Sequence, residues 1–311
     1  MTKKIVFMGT PEFAVNSLEA LNEDPNISVE LVITGKDKIR GRNKLLPTKV
    51  KEKALELDIK SYEPDNVNSE DSLELINSIN PDFIVVVAYG QMIGDQLLEN
   101  YKDRIINIHS SILPKYRGAA PMQWAILNKD SKTGVSTMLI EKSMDTGDVL
   151  DIAYMDLTPE TSINEVHDQL SFLSRQLIVD TINNYDDLYA HRTKQDHSQA
   201  TYSKKITKEM GHIKFDEKAD DIQAKIMAFS SWPSTYVVYK DEKVKIHKIN
   251  IIDKYTNDEI GKIFACDDQA IYVNCLDKCI AIKEIQFPGK RRMSIEDYLR
   301  GNSIDIGVHL Q

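Results

Sequence analysis

Cysteine is scarce in this chain, with three residues, Cys266, Cys275 and Cys279, all near its carboxyl end. An odd number without zinc-ligand spacing argues against a disulfide framework and a metal centre, so reduced packing thiols and no metal are expected. Long apolar runs are missing too. None approaches the roughly 20 residues that span a bilayer, and the opening MTKKIVFMGT is interrupted too soon for a secretory signal, so a cytoplasmic chain without a membrane partner is expected. No GxGxxG follows the first strand-like run, and a lone Gly9 does not support dinucleotide binding. Internal repeats and low-complexity segments are absent. Positive charge is in deficit: 39 Lys and Arg stand against 48 Asp and Glu, a net charge of −9. Taken alone, that balance disfavours a nucleic-acid partner, because phosphate contacts dominate such binding.

What is present is enough for two cores. At 311 residues and 41% hydrophobic content, the chain is long for a single domain. Residues 5–8 read as an apolar strand, and Gly9-Thr10-Pro11-Glu12 as a turn with Thr10 as N-cap and Pro11 as the first residue of a helix over 13–21. Strands at 29–33 and 83–88, with a helix at 72–79 between them, continue a parallel, doubly wound, Rossmann-like α/β sheet. The polar stretch HRTKQDHSQ breaks this periodicity and reads as a linker over 190–204. Beyond it come an amphipathic helix at 220–229 and short strands at 235–239, 243–251, 261–265, 270–273 and 279–286, the pattern of a small β-barrel. The expected division is therefore a catalytic domain over 1–189, a linker over 190–204 and a second domain over 205–311.

The richest segment runs from 105 to 121, where the apolar strand IINIH delivers Asn107 and His109 two residues apart and hence on one face. Pro114 and Gly118 then turn the chain at the carboxyl edge of the sheet, where open α/β sheets bind ligands. A second strand at 133–140 leads into the polar loop 141–148, which carries Asp145. Singly, each of the three has a bland reading: a hydrogen-bonded strand histidine, an edge amide, a loop cap. Together, without a nucleophile motif, they fit transfer between two bound substrates, in which one group moves protons and another holds a developing oxyanion.

Charge is unevenly spread. Between 36 and 53, eight basic residues (Lys36, Lys38, Arg40, Arg42, Lys44, Lys49, Lys51, Lys53) face two acidic ones (Asp37, Glu52), a local charge of 8 − 2 = +6. From 205 onward the balance is 17 basic against 17 acidic, with Lys290-Arg291-Arg292 clustered. A charge run alone is usually a solvated loop, but this one follows a strand and leaves the sheet edge that displays Asn107 and His109.

Six runs carry a resemblance that covers essentially the whole chain in order: IVFMGTPEFAVNSLEAL (5–21), NIHSSILPKYRGAAPMQWAI (107–126), TGVSTMLIEKSMDTGDVL (133–150), ATYSKKITKEMGHI (200–213), AFSSWP (228–233) and FPGKRRMSIEDYLRG (287–301). They resemble the methionyl-tRNA formyltransferase family. The resemblance implies that Asn107, His109 and Asp145 are catalytic, that N10-formyltetrahydrofolate is the formyl donor, and that the amino group of methionine on initiator tRNA is the acceptor. It puts the folate between 89–93 and 144–148. Tyr89, Gly90, Gln91, Met92 and Ile93, the turn Ser110, Ser111, Ile112, Leu113 and Pro114, and Asp148 are thus expected around the donor. It also implies that Arg40, Arg42 and Lys44 reach the acceptor stem, and that an OB-like second domain grips tRNA through Lys290, Arg291 and Arg292. Two departures stand out: Asp37-Lys38-Ile39-Arg40 where Asp-Arg-Pro usually precedes Gly-Arg, and Met227 where arginine is common. Trp124 is expected in the core, and a monomer is expected.

Two other classes use some of the same features. An amino-sugar formyltransferase or formyl-folate hydrolase shares Asn, His and Asp, and the basic loop and the 290–292 cluster argue against it. A non-catalytic RNA-binding module suits the barrel but not the triad or the net charge.

Overall fold

A computed structural model describes residues 2–40 and 44–311, with backbone alone at Arg40 and Lys44. Arg42 therefore lies outside the described residues. The chain forms two compact units. The first comprises Met1–Pro121, Lys132–Asp156 and His167–Ser203, and the second Met122–Ser131, Leu157–Val166 and Lys204–Gln311.

In the first unit, strands β1 (Lys3–Gly9), β2 (Ile27–Ile33), β3 (Lys38–Arg40), β4 (Lys44–Leu46), β5 (Ser61–Tyr62), β6 (Phe83–Val87), β7 (Ile105–His109), β8 (Arg117–Gly118), β9 (Lys132–Leu139), β10 (Val149–Asp156) and β11 (Tyr202–Ser203) follow in chain order. Seven of them form one sheet in the order β10-β9-β7-β6-β1-β2-β5. β7, β6, β1, β2 and β5 are parallel, while β9 and β10 turn antiparallel at one edge. The runs IVFMG in β1 and FIVVV in β6 are buried along their whole length, as strands covered on both faces must be. The chain winds outward from β1 through β2 to β5, then returns to place β6 on the other side of β1. That reversal makes the carboxyl ends of β1 and β6 the switch point, where a crevice opens.

Thr10 sits there with a different job from the one expected. Pro11, not Thr10, precedes the 3-10 turn Glu12–Ala14 that leads into helix Val15–Glu23, and no side chain caps it. The Thr10 hydroxyl instead donates to Tyr89 O at 2.8 Å and accepts from Gly35 N at 3.2 Å, tying the ends of β1, β6 and β2 together. The 190–204 stretch also differs from expectation, since residues up to Ser203 belong to the first unit. Thr193 bridges Val149, Gln195 is 4% exposed, and β11 pairs with β8. Long-range hydrogen bonding overrides its polar composition.

In the second unit β12 (Thr235–Tyr239), β13 (Glu242–Ile252), β14 (Ile263–Cys266), β15 (Ile271–Asn274) and β16 (Cys279–Gln286) form an antiparallel sheet ordered β12-β13-β16-β15-β14, with β17 (Met293–Ser294) on β16. Residues 307–311 join its two edges: Gly307 N and Val308 O bond Ile263, Leu310 N bonds Gly261 O, and Gln311 exchanges both hydrogen bonds with Val238. The result is an OB-like barrel around Val237, Ile246, Val273, Ile280 and Ile282. Met227, on helix Ala219–Ala228, packs against this core. All three cysteines are free, and burial pushes the Cys279 thiol up to about 11. Trp124 is half-buried, its indole N–H donating to Lys204 O at 2.8 Å, and so is not the core residue expected.

Removing the Thr10 hydroxyl leaves two backbone groups at the switch point without that partner. Thr10→Val is expected to lower stability by about 1 to 2 kcal/mol, read as a shift in the urea midpoint at unchanged slope.

Candidate active site

β7 ends the parallel run, and its register pairs Asn107 with Val86 of β6 and Met138 of β9, and His109 with Ser136 of β9. The period of two puts Asn107 and His109 on one face. His109 is 7% exposed and its Nε2 lies 3.1 Å from Tyr116 O. A carbonyl only accepts, so Nε2 carries a proton and donates, leaving Nδ1 turned the other way. Nδ1 is 3.9 Å from Asp145 Oδ2, within ion-pair range and beyond direct hydrogen-bond reach. The three sequence candidates thus include a joined pair, His109 and Asp145. Asn107 is half-buried and its amide has no protein hydrogen bond among the described residues, which leaves both its donors for a ligand.

Asp145 is held in an unusual backbone conformation, φ = +54°, and its Oδ2 accepts from Gly118 N at 2.8 Å. Gly118 itself stands at φ = +113°, and a Cβ there would lie 2.8 Å from Ser203 O. Tyr116, Arg117 and Gly118 therefore serve both partners: the first fixes the imidazole and the last fixes the carboxylate. Ser203 supports this stretch, its hydroxyl lying 3.2 Å from Tyr116 O and from Arg117 O and accepting from Ala120 N.

The other expected contacts divide. Gly90 (φ = +93°) and Met92 (57% exposed) lie open on the loop after β6, and Ile93 is half-buried. The Gln91 side chain, expected around the donor, is already committed: its Oε1 accepts from Val67 N at 2.8 Å and its Nε2 donates to Pro64 O at 3.2 Å. Tyr89 is 4% exposed, its hydroxyl is buried without a partner among the described residues, and desolvation pushes its pKa up to about 12. Ser111 and Leu113 are buried in the turn itself, with Ser111 Oγ donating to Lys115 O, while Ser110, Ile112 and Pro114 are half-buried. Asp148 accepts from Arg192 Nε at 2.9 Å, an ion pair that braces the loop. Sequence reasoning passed over Arg117 and Gln195. Both are polar residues almost wholly buried, and only their long-range pairing reveals why.

The basic stretch is less free than its count suggests. Lys36 pairs with Asp65, Lys49 with Glu52, Lys51 with Asp37 and Glu63, and Lys53 with Glu19 and Glu56. β3 and β4 pair as a hairpin with Arg40 opposite Lys44. In the second unit, Lys290 and Arg291 are exposed, while Arg292 Nε donates to Glu284 at 2.5 Å.

Comparison with known proteins agrees along the whole length. Residues 3–182 match the formyl transferase family, and residues 205–303 match the formyl transferase C-terminal domain. The chain is 43% identical over 310 residues to the methionyl-tRNA formyltransferase of Finegoldia magna, covering 100% of each. It is 42% identical over 305 residues to that of Clostridium novyi, covering 97% of this chain and 98% of the relative. Among solved structures, an N-formyltransferase from Helicobacter canadensis, in complex with folinic acid and dTDP-3-aminofucose, shares the fold. The match has a TM-score of 0.64 at 20% identity over 91% of this chain and 99% of that one.

A side chain at 118 would meet the backbone of Ser203 in a conformation that L residues rarely adopt. Gly118→Ala is expected to cost about 1 to 3 kcal/mol, read from the denaturant midpoint.

Proposed function

The chain belongs to the methionyl-tRNA formyltransferase family, and on that premise we propose that Asn107, His109 and Asp145 carry the reaction and that N10-formyltetrahydrofolate is the donor. The function is transfer of a formyl group from formyl-tetrahydrofolate to the α-amino group of initiator methionyl-tRNA, for translation initiation. The observation that carries the assignment of residues is the unpartnered Asn107 amide on the same strand face as the His109–Asp145 pair.

In this reading the neutral α-amine forms a bond to the formyl carbon, and the carbonyl electrons move onto oxygen. Asn107 donates to that oxyanion, and its value lies in being fixed before charge develops. Collapse breaks the bond to the folate nitrogen, which takes up the proton that the attacking amine gives away. His109 Nδ1 is the ring atom available for that proton, because Nε2–H is held by Tyr116 O. Asp145 stabilises the cation formed at the imidazole. The donor ring lies against the open backbone of 88–93 and the 144–148 loop, and Gly90, where an added Cβ meets nothing within 4 Å, leaves room for it.

The first unit performs the chemistry and the second contributes to tRNA binding, with Arg40 on β3, Lys44 on β4 and Arg42, which lies outside the described residues, between them in sequence, and with Lys290, Arg291 and Arg292 of the second unit as further contacts. The enzyme works as a cytoplasmic monomer. The amino-sugar reading is disfavoured by full-length identity of 37–43% to tRNA-acting relatives.

Formyl transfer from N10-formyltetrahydrofolate to methionylated initiator tRNA tests the assignment. Asn107→Ala is expected to lower kcat about 100-fold or more with little change in KM, and His109→Ala and Asp145→Asn to fall at least as far. Near-normal turnover in Asn107→Ala would remove it from the chemistry. On the tRNA side, Arg291→Ala should reduce the slope of log affinity against log salt by about 1.

A further inference from the structure

Arg117 is 2% exposed and, among the described residues, no carboxylate pairs with it. Its Nε and Nη2 both donate to Gln195 Oε1, at 3.0 and 2.7 Å, and its Nη1 lies 3.2 Å from His197 Nδ1. A guanidinium only donates, so it fixes which end of the Gln195 amide faces it. The amide nitrogen must then face the opposite way, and it donates to two carbonyls of the catalytic loop, Asp145 O at 3.0 Å and Gly147 O at 2.7 Å. Every polar atom of the Gln195 side chain is thereby used.

The loop so held has little freedom elsewhere. Asp145 is at positive φ, and a Cβ on Gly147 would lie 1.9 Å from Leu139 O. The Asp145 carboxylate is bonded to the amide of the residue that follows Arg117, and the His109 ring to the carbonyl of the residue that precedes it. One tripeptide thus sets the carboxylate and the imidazole directly and, through the Arg117 side chain and Gln195, the backbone of Asp145.

We infer that Gln195, oriented by the buried Arg117, is a positioning residue that fixes the Asp145 loop at its working distance from His109. The inference rests on the assignment of His109 and Asp145 to the chemistry. Burying the guanidinium beside a neutral amide, rather than a carboxylate, gives a partner that both accepts from arginine and donates onward; a carboxylate only accepts. Displacing a reacting group by about 1 Å is enough to lose on the order of 100-fold in rate, so the hold is kinetic in its effect.

Gln195→Glu separates the two ends of the bridge: it keeps the acceptor for Arg117 and loses both donors to the loop. Measured on the full-length enzyme with both substrates, at a temperature where the variant is fully folded, it is expected to lower kcat about 10- to 100-fold while KM for tRNA and KM for the folate stay within experimental spread and the thermal midpoint falls by no more than that of Thr10→Val. Arg117→Lys, which keeps the charge but not the two-pronged hold on the amide, is expected to move kcat in the same direction by less. Unchanged kcat in Gln195→Glu overturns the inference, as does a loss of kcat matched by equal losses in stability or KM in both variants. Asp145→Asn is run alongside. If it too retains full turnover, the assignment of the catalytic pair fails; if it is inactive while Gln195→Glu is normal, only the positioning role fails.

Discussion

The site depends on three consecutive residues that are hardly a strand at all. Tyr116, Arg117 and Gly118 are held by β11 and by Ser203, and their carbonyl, side chain and amide address His109, Gln195 and Asp145 in turn. Tyr116 (φ = +59°) and Gly118 (φ = +113°) both adopt left-handed backbone, and these two local conformations aim the Tyr116 carbonyl at the imidazole and the Gly118 amide at the carboxylate. The register is fixed by residues that are costly to replace there. Gly118 adopts φ = +113° against the Ser203 carbonyl, and Arg117 is buried only because Gln195 and His197 receive its N–H groups.

This arrangement explains where geometry is spent. The sheet supplies Asn107 and His109 from a rigid buried strand, while Asp145 comes from a loop that would otherwise be mobile. Rigid elements position reacting groups well; loops need a supporting layer of hydrogen bonds. That layer comes from residues 192–203, where Arg192 braces Asp148, Gln195 holds two loop carbonyls and Ser203 supports the tripeptide. The same chemistry placed on a loop with side-chain contacts alone would lack the backbone restraint.

Much of this was legible in the sequence where the signal is local. Buried runs such as IVFMG and FIVVV announce central parallel strands, the five strands of the barrel follow from alternation, and Asn-x-His on a strand yields a shared face from the period of two. What escaped local reading depends on partners far along the chain. Gln195 lies 78 residues from Arg117 and 50 from Asp145, so nothing in HRTKQDHSQ distinguishes it from a solvated linker. Thr10 looks like a helix cap because it precedes Pro11, and only the folded sheet brings Tyr89 O and Gly35 N to its hydroxyl. Gln91 has the chemistry to read a ring, but the 64–67 loop reaches it first.

Charge illustrates the same limit with a consequence for recognition. The +6 counted between 36 and 53 is a sum over residues, whereas a phosphate responds to what remains after Lys36, Lys49, Lys51 and Lys53 meet their carboxylates. Compensated pairs at a partly exposed surface contribute little field beyond a Debye length of about 8 Å. Among the described residues, exposed Lys290 and Arg291 have no such ion pair, which suits the contacts proposed for them. On a chain of net charge −9 most of the remaining surface repels a polyanion, so approach in other orientations is penalised. On the proposed reading, a modest number of uncompensated cations would set orientation more sharply than a uniformly basic surface, because like-charge juxtaposition excludes the alternatives.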